Sequence, residues 1–314
     1  MFSLSEQEGR EMKKFFPLFI SILMIISLLT GCNGEKKSDK TLVAVSILPL
    51  EEFVEKVGGD HISVYTMIPQ GADPHTFDPA PSQMAKLSEA AMYVEVGAGL
   101  EFEIAYMDKI RSMNKDMVVV DSSKGLDLLE ATEHHHHDGD DDDDEEEEEH
   151  EHGSTNPHIW LSPEYAQVMV QNICDALCEL DNVNAEDYRM NAASYIAELA
   201  GLDEEIHDSL KDVKNRVFMC LHPQWEYFAK DYELMEIAIE VDGKEPGAQT
   251  LAMLIENAKA NNIKVVFTSP QFSTASAKAI ADAIGGKVVG IDSLAKDYVD
   301  NMRSILQAMK SAME

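Results

Sequence analysis

From Thr41 onward the chain alternates short β-branched runs with stretches whose apolar residues recur three and four positions apart. Runs at 42–47, 62–68, 92–96 and 117–120 read as buried strands, and 51–57, 82–90 and 101–113 as the helices between them. Strand, helix, strand in that order predicts βαβ units and a parallel sheet. The alternation stops after Ser122 and resumes with a helix at 165–180. Next comes a proline-free stretch, 185–214, in which Tyr188, Ala192, Tyr195, Ile196, Leu199, Leu202, Ile206 and Leu210 trace one apolar stripe. Thirty helical residues would span about 45 Å, enough to brace two lobes. A second alternating set follows, with strands at 217–221, 234–240, 265–268 and 288–291 and helices near 225–231, 248–261, 274–284 and 298–313.

The expected fold class is therefore α/β, with two Rossmann-like lobes built on parallel sheets and joined by one long helix. The boundaries that follow are an export signal over 1–31, a polar tether over 32–40, an N-terminal lobe over 41–183, a linking helix over 184–214 and a C-terminal lobe over 215–314. The signal reading rests on Lys13-Lys14, the apolar run Phe15 to Leu29 and the ending Leu29-Thr30-Gly31-Cys32. That ending resembles the bacterial lipobox, in which the cysteine is acylated, so Cys32 is the expected lipidation site. An uncut membrane anchor is the alternative, and Met12 competes with Met1 as the initiator. Either way the body of the protein is expected outside the cytoplasm, on the outer face of the cell membrane or in a periplasm.

The charge narrows the partners. The formal net charge is -33, from 58 acidic residues against 25 Lys and Arg. A dozen of the acids form the run 138–151 within an insert, 133–153, that also holds His134, His135, His136, His137, His150 and His152. Outside that insert the chain is still strongly acidic, which excludes nucleic acid as a partner and draws in metal cations. The insert has no apolar face to bury, so disorder is expected there. Imidazoles among carboxylates make a loose cation trap, and a plain solvating spacer is the alternative.

Candidate chemistry centres on three histidines in proline-stiffened segments. They are His75 in Gly71-Ala72-Asp73-Pro74-His75-Thr76-Phe77-Asp78-Pro79, His158 in Asn156-Pro157-His158-Ile159-Trp160, and His222 in Leu221-His222-Pro223-Gln224-Trp225. Proline limits how far such a ring can wander. Together with Asp292, each follows an expected strand, directly or by a loop, and ligands of open parallel sheets gather beyond the carboxyl ends of strands. Three imidazoles and one carboxylate suit Zn²⁺ in a closed tetrahedron. Cys174 and Cys178 share a helix face and read as core residues more readily than as metal ligands, as does Cys220 within a strand. His61 and His207 read as surface residues. A zinc hydrolase is the rival from another class. No His-Glu-x-x-His stretch supplies its base, and a fourth ligand would close the position that hydrolysis needs open.

The chain from Thr41 to its end resembles the zinc/manganese solute-binding lipoproteins of ABC importers. The resemblance rests on the three histidine segments, on the continuations Ala80-Pro81-Ser82 and Leu161-Ser162-Pro163, and on Tyr227-Phe228-Ala229, Glu245-Pro246 before Leu251, and Pro270-Gln271-Phe272-Ser273. It implies two α/β lobes with the metal between them, and His75, His158, His222 and Asp292 as ligands. It also implies a monomer that hands Zn²⁺ to an ABC transporter permease, with no enzymatic activity. The histidine-rich insert and a histidine at the third ligand position point to zinc, with Mn²⁺ as the alternative cargo. A surface adhesin or zinc buffer is a further role open to the same fold. Family members often carry glutamate in place of Ser269 and an Asp-Pro pair in place of Asp292-Ser293, so Asp292 and a water remain alternatives for the fourth ligand.

Overall fold

The computed structural model describes residues 40–130, 155–240 and 244–314. The export signal, the tether, Cys32 and the histidines of the acidic insert lie outside the described residues. Two four-stranded sheets form, both wholly parallel. The first runs β2-β1-β3-β4, from β1 (Thr41–Val45), β2 (Ile62–Thr66), β3 (Met92–Glu95) and β4 (Val118–Asp121). The second runs β6-β5-β7-β8, from β5 (Val217–Cys220), β6 (Met235–Ala238), β7 (Val265–Thr268) and β8 (Lys287–Gly290). The two halves thus share one strand order.

Among the described residues the helices are α1 (Leu48–Gly58), α2 (Pro81–Lys86), α3 (Glu101–Met113), α4 (Pro163–Leu180), α5 (Ala185–Leu210), α6 (Glu226–Asp231), α7 (Ala248–Ala260), α8 (Ala275–Ile284) and α9 (Tyr298–Met313). None is long and apolar enough to cross a membrane. The expected helix at 82–90 is shorter, because after Lys86 the backbone tightens into a 3₁₀ turn, Leu87–Glu89. The long helix also stops earlier than its expected end at 214. Arg216 Nη1 donates to the carbonyls of Leu210 and Lys211 at 3.1 and 3.3 Å, satisfying acceptors that a last helical turn leaves free. Its Nε donates to Glu233 O at 2.8 Å, so one guanidinium ties the helix end to the turn before β6.

The apolar stripe of α5 is buried as its spacing predicts, with Tyr188, Ala192, Tyr195, Leu199, Leu202, Ile206 and Leu210 all inaccessible and only Ile196 half-buried. It packs on α4 and α1 from the first half and on α9 from the second. One apolar cluster therefore runs from Val43, Phe53 and Trp160 through Leu199 to Phe218, Trp225, Phe267 and Met302 without a break. A smaller cluster, including Met219, Leu221, Val266 and Ile280, covers the other face of the second sheet. The alternation Phe218, Met219, Cys220, Leu221 feeds the two clusters in turn, as strand geometry requires.

Polar ties cross between the halves inside this core. Tyr195 Oη donates to Glu52 Oε1 at 2.8 Å, and the other oxygen of that carboxylate accepts from Tyr298 N. Tyr298 Oη donates to Trp160 O at 2.7 Å, and Trp160 Nε1 to Ser293 O at 2.8 Å. On the surface Lys296 Nζ bridges Glu51 and Glu55 of α1 at 2.6 and 3.0 Å. Removing the fully buried Leu199 side chain leaves a cavity at the centre of the shared core. Leu199→Ala should lower the free energy of unfolding by about 2–5 kcal/mol in urea titration, whereas Met253→Ala on the exposed side of α7 should shift it by less than about 0.5 kcal/mol.

Candidate metal centre

His75 sits in a loop pinned at both ends. Asp73 accepts from His75 N at 2.9 Å and from Thr76 Oγ1 at 2.9 Å, forming the side-chain turn that short acidic residues favour. Helix α3 then clamps the loop, with Phe102 against Phe77, ring centres 5.9 Å apart, and Tyr106 donating to Asp78. Glu101, in the first turn of the same helix, lies 2.6 Å from His75 Nδ1.

His158 opens the 3₁₀ turn Ile159–Leu161 that leads into α4. Ser162 caps that helix by accepting from Tyr165 N at 3.1 Å, and Pro163 stands at its first position, where no amide is missed. Asn156 Oδ1 accepts from both His158 N at 3.0 Å and His158 Nδ1 at 2.9 Å. The amide cannot reverse, since its Nδ2 donates to Glu226 at 2.8 Å. Tyr227 Oη donates to Asn156 O at 2.9 Å, so the second half grips this segment as well.

His222 follows β5, the strand at which the order of the second sheet reverses. Its Nδ1 lies 2.9 Å from Glu240 Oε2, beyond the end of β6, and its ring stacks on Phe272 with centres 4.6 Å apart. The matching crevice in the first sheet, between β1 and β3, is filled from within. There the buried Glu103 carboxylate accepts from Ser46 Oγ and from the amides of Val96 and Gly97. Burial pushes its pKa up to about 7. Gly97 is required at this point, because a Cβ there would lie 1.8 Å from Asp121 Oδ1. The first half accordingly offers His75 and His158 from the periphery of its sheet.

These three segments converge. One ligand nitrogen from each of His75, His158 and His222 falls within 4.8 Å of the others, and ring centres are 4.7–5.4 Å apart. Each ring has its Nδ1 beside an acceptor, Glu101, Asn156 or Glu240, which assigns the Nδ1–H tautomer and leaves Nε2 as the free donor atom. His75 Nε2 and His222 Nε2 stand 3.1 Å apart. Two bare imidazole lone pairs repel at that distance, and a cation or a proton relieves them. Zn–N bonds of 2.0–2.1 Å in a tetrahedron separate neighbouring nitrogens by about 3.3 Å. Burial, followed by the charges of His75 and His222, holds the His158 pKa well below the usual imidazole range, so this ring is already neutral as a ligand must be. Burial works against the Glu101 carboxylate, but the hydrogen bond from His75 and the charge of that ring outweigh it and hold its pKa below the ordinary value.

Asp292 follows β8 as expected, but its carboxylate is not among the groups drawn together around the three nitrogens. Its Oδ1 accepts from Leu294 N at 3.0 Å and from Gln271 Nε2 at 3.1 Å. The turn that makes Asp292 favourable at this point also occupies it. Cys174 and Cys178 do lie together, sulfurs 4.0 Å apart, and both are free thiols outside the histidine group. Burial pushes the Cys174 thiol up to about 12, which keeps it protonated. His61 is half-buried rather than a plain surface residue, bonded to Asp187 at 2.9 Å and set edge-on against Tyr188. His207 is exposed beside Asp208. The Nδ1 partners Glu101 and Glu240 escaped the sequence reading. They lie 26 and 18 residues from their histidines, in other elements, and no local motif announces them.

The family model described as "Zinc-uptake complex component A periplasmic" matches residues 43–312. The "High-affinity zinc uptake system protein ZnuA" of Bacillus subtilis (strain 168) is 32% identical over 96% of this chain and 98% of its own. The "Zinc-binding protein AdcA" of Streptococcus pyogenes serotype M1 is 28% identical over 95% of this chain, which spans only 61% of that longer relative. The solved structure titled "Crystal structure of ZnuA" superposes with a TM-score of 0.81 at 40% identity, covering 88% of this chain and 100% of that one.

The neutrality of His158 has a consequence for folding. The unfolded chain protonates this residue near pH 6.5 while the folded one does not, so its contribution is present above that pH and lost as pH falls below it. Glu103 and Glu236, with pKa values raised to about 7 by burial, act in the opposite direction, so a paired comparison isolates the histidine. Between pH 7.5 and 5.0 the metal-free protein should lose up to about 2 kcal/mol of stability relative to a His158→Asn variant, measured by denaturant titration at each pH.

Proposed function

The chain belongs to the zinc-uptake complex component A family of solute-binding proteins, and from that we propose that His75, His158 and His222 ligate the zinc ion it carries. It is an extracytoplasmic transport protein and not an enzyme, binding Zn²⁺ and delivering it to the permease of an ABC importer. The observation that carries the ligand assignment is the set of three imidazoles with every Nδ1 engaged and every Nε2 free, two of the latter 3.1 Å apart. A dication shared by the three Nε2 atoms relieves that crowding. Three nitrogen donors without a carboxylate in the group favour zinc over manganese, which prefers oxygen.

The fourth position belongs to Asp292 after it leaves Gln271, or to a water. The Oδ1 of Asp292 is held by Leu294 N and Gln271, so ligation by Asp292 would use the other oxygen or release Gln271. The rest of the proposed picture is a monomer tethered through an acylated Cys32, its acidic histidine-rich insert gathering zinc loosely. Capture proceeds as the ion exchanges its waters for three imidazoles already aimed at it, so little ordering remains to oppose binding.

Isothermal titration of zinc into the metal-free protein should give one tight site. His222→Ala should weaken it by more than a hundredfold and Asp292→Ala by less than tenfold. The reverse order would reject the assignment.

A further inference from the structure

The acceptors behind the three rings differ in kind and in exposure. Asn156, a neutral amide, serves His158, and both are almost completely buried, at 5% and 4% exposure. Carboxylates serve the other two. Glu240 is 11% exposed behind His222, and Glu101 is 53% exposed behind His75. A buried charge needs a charged or strongly hydrogen-bonded partner to hold it, so the deepest ring takes the amide and the rings nearer solvent take the acids.

Resting on the reading of these histidines as zinc ligands, we propose that Glu101 and Glu240 are positioning residues of the centre. Each accepts the Nδ1–H of one imidazole, fixes the tautomer whose Nε2 faces the cation, and places a negative charge behind the ring that strengthens its donation. They reach the site from outside the histidine segments, Glu101 from the helix that also grips Phe77 and Asp78, Glu240 from beyond β6. Their contributions are unequal. Glu240 is mostly enclosed, so a water that takes its place must be confined beside the ring at an entropic cost. Glu101 faces solvent, and a water can take over its hydrogen bond with His75 once the carboxylate is gone. His222 has a second restraint in Phe272, which fixes the ring plane but leaves the choice of tautomer open.

The test measures zinc affinity of the full chain by competition with a chromophoric chelator. Long-range proton–nitrogen NMR correlations of the imidazoles in the metal-free protein report the tautomers. Glu240→Ala should lose about 10–100-fold in affinity and Glu101→Ala less than about tenfold. Glu240→Gln, which keeps an acceptor oxygen, should recover most of the loss and retain the Nδ1–H signal of His222 that Glu240→Ala loses. Wild-type affinity in Glu240→Ala, or equal losses in Glu240→Gln and Glu240→Ala with the His222 tautomer unchanged, would overturn the positioning role alone. Tight zinc binding that survives His75→Ala and His222→Ala would instead reject the histidine centre, and with it this proposal.

Discussion

Three imidazole lone pairs cannot be crowded together without a force that holds them there. In this protein that force is the fixed relation between two halves of the chain, because His75 and His158 belong to the first sheet's loops and His222 to the second's. The 3.1 Å approach of His75 to His222 spans 147 residues of sequence. It is maintained by the continuous apolar core, by the Tyr298–Trp160–Ser293 hydrogen bonds, and by Tyr227 on the backbone of Asn156. Interiors this densely packed resist gradual deformation, so the core holds the spacing of these nitrogens.

Electrostatics and packing act on the same groups. The His158 ring is neutral because it is buried, and it is buried because the segment that carries it also seats Trp160 between the halves. Glu103 fills the crevice between β1 and β3 of the first sheet, while His222 stands at the corresponding strand end of the second. One strand order used twice thus carries a carboxylate at one such point and an imidazole at the other. The histidine group draws on the periphery of the first sheet and on the centre of the second.

Much of this is visible in the residue order, and the exceptions are instructive. The strands and helices follow from β-branched runs and apolar stripes, since those patterns encode burial directly, and His222 announces itself by following a strand end. Asn156 is legible too, two residues ahead of the ring it holds. Glu101 and Glu240 are not, because their role exists only once α3 and β6 are docked beside distant loops. The termination of α5 at Leu210 depends on Arg216 reaching back to its carbonyls, which helical periodicity cannot foresee. Asp292 shows the converse. A carboxylate after a strand looks wholly available in sequence, yet one of its oxygens is held by its own turn and by Gln271.

The central claim is that one zinc ion is held through the Nε2 atoms of three imidazoles. X-ray absorption at the zinc edge tests it on protein loaded with one equivalent. Three nitrogen scatterers at about 2.0–2.1 Å with the multiple-scattering pattern of imidazole, plus one further light atom, are the predicted first shell. A sulfur shell at about 2.3 Å, or a spectrum fitted by a single imidazole among oxygens, would contradict it.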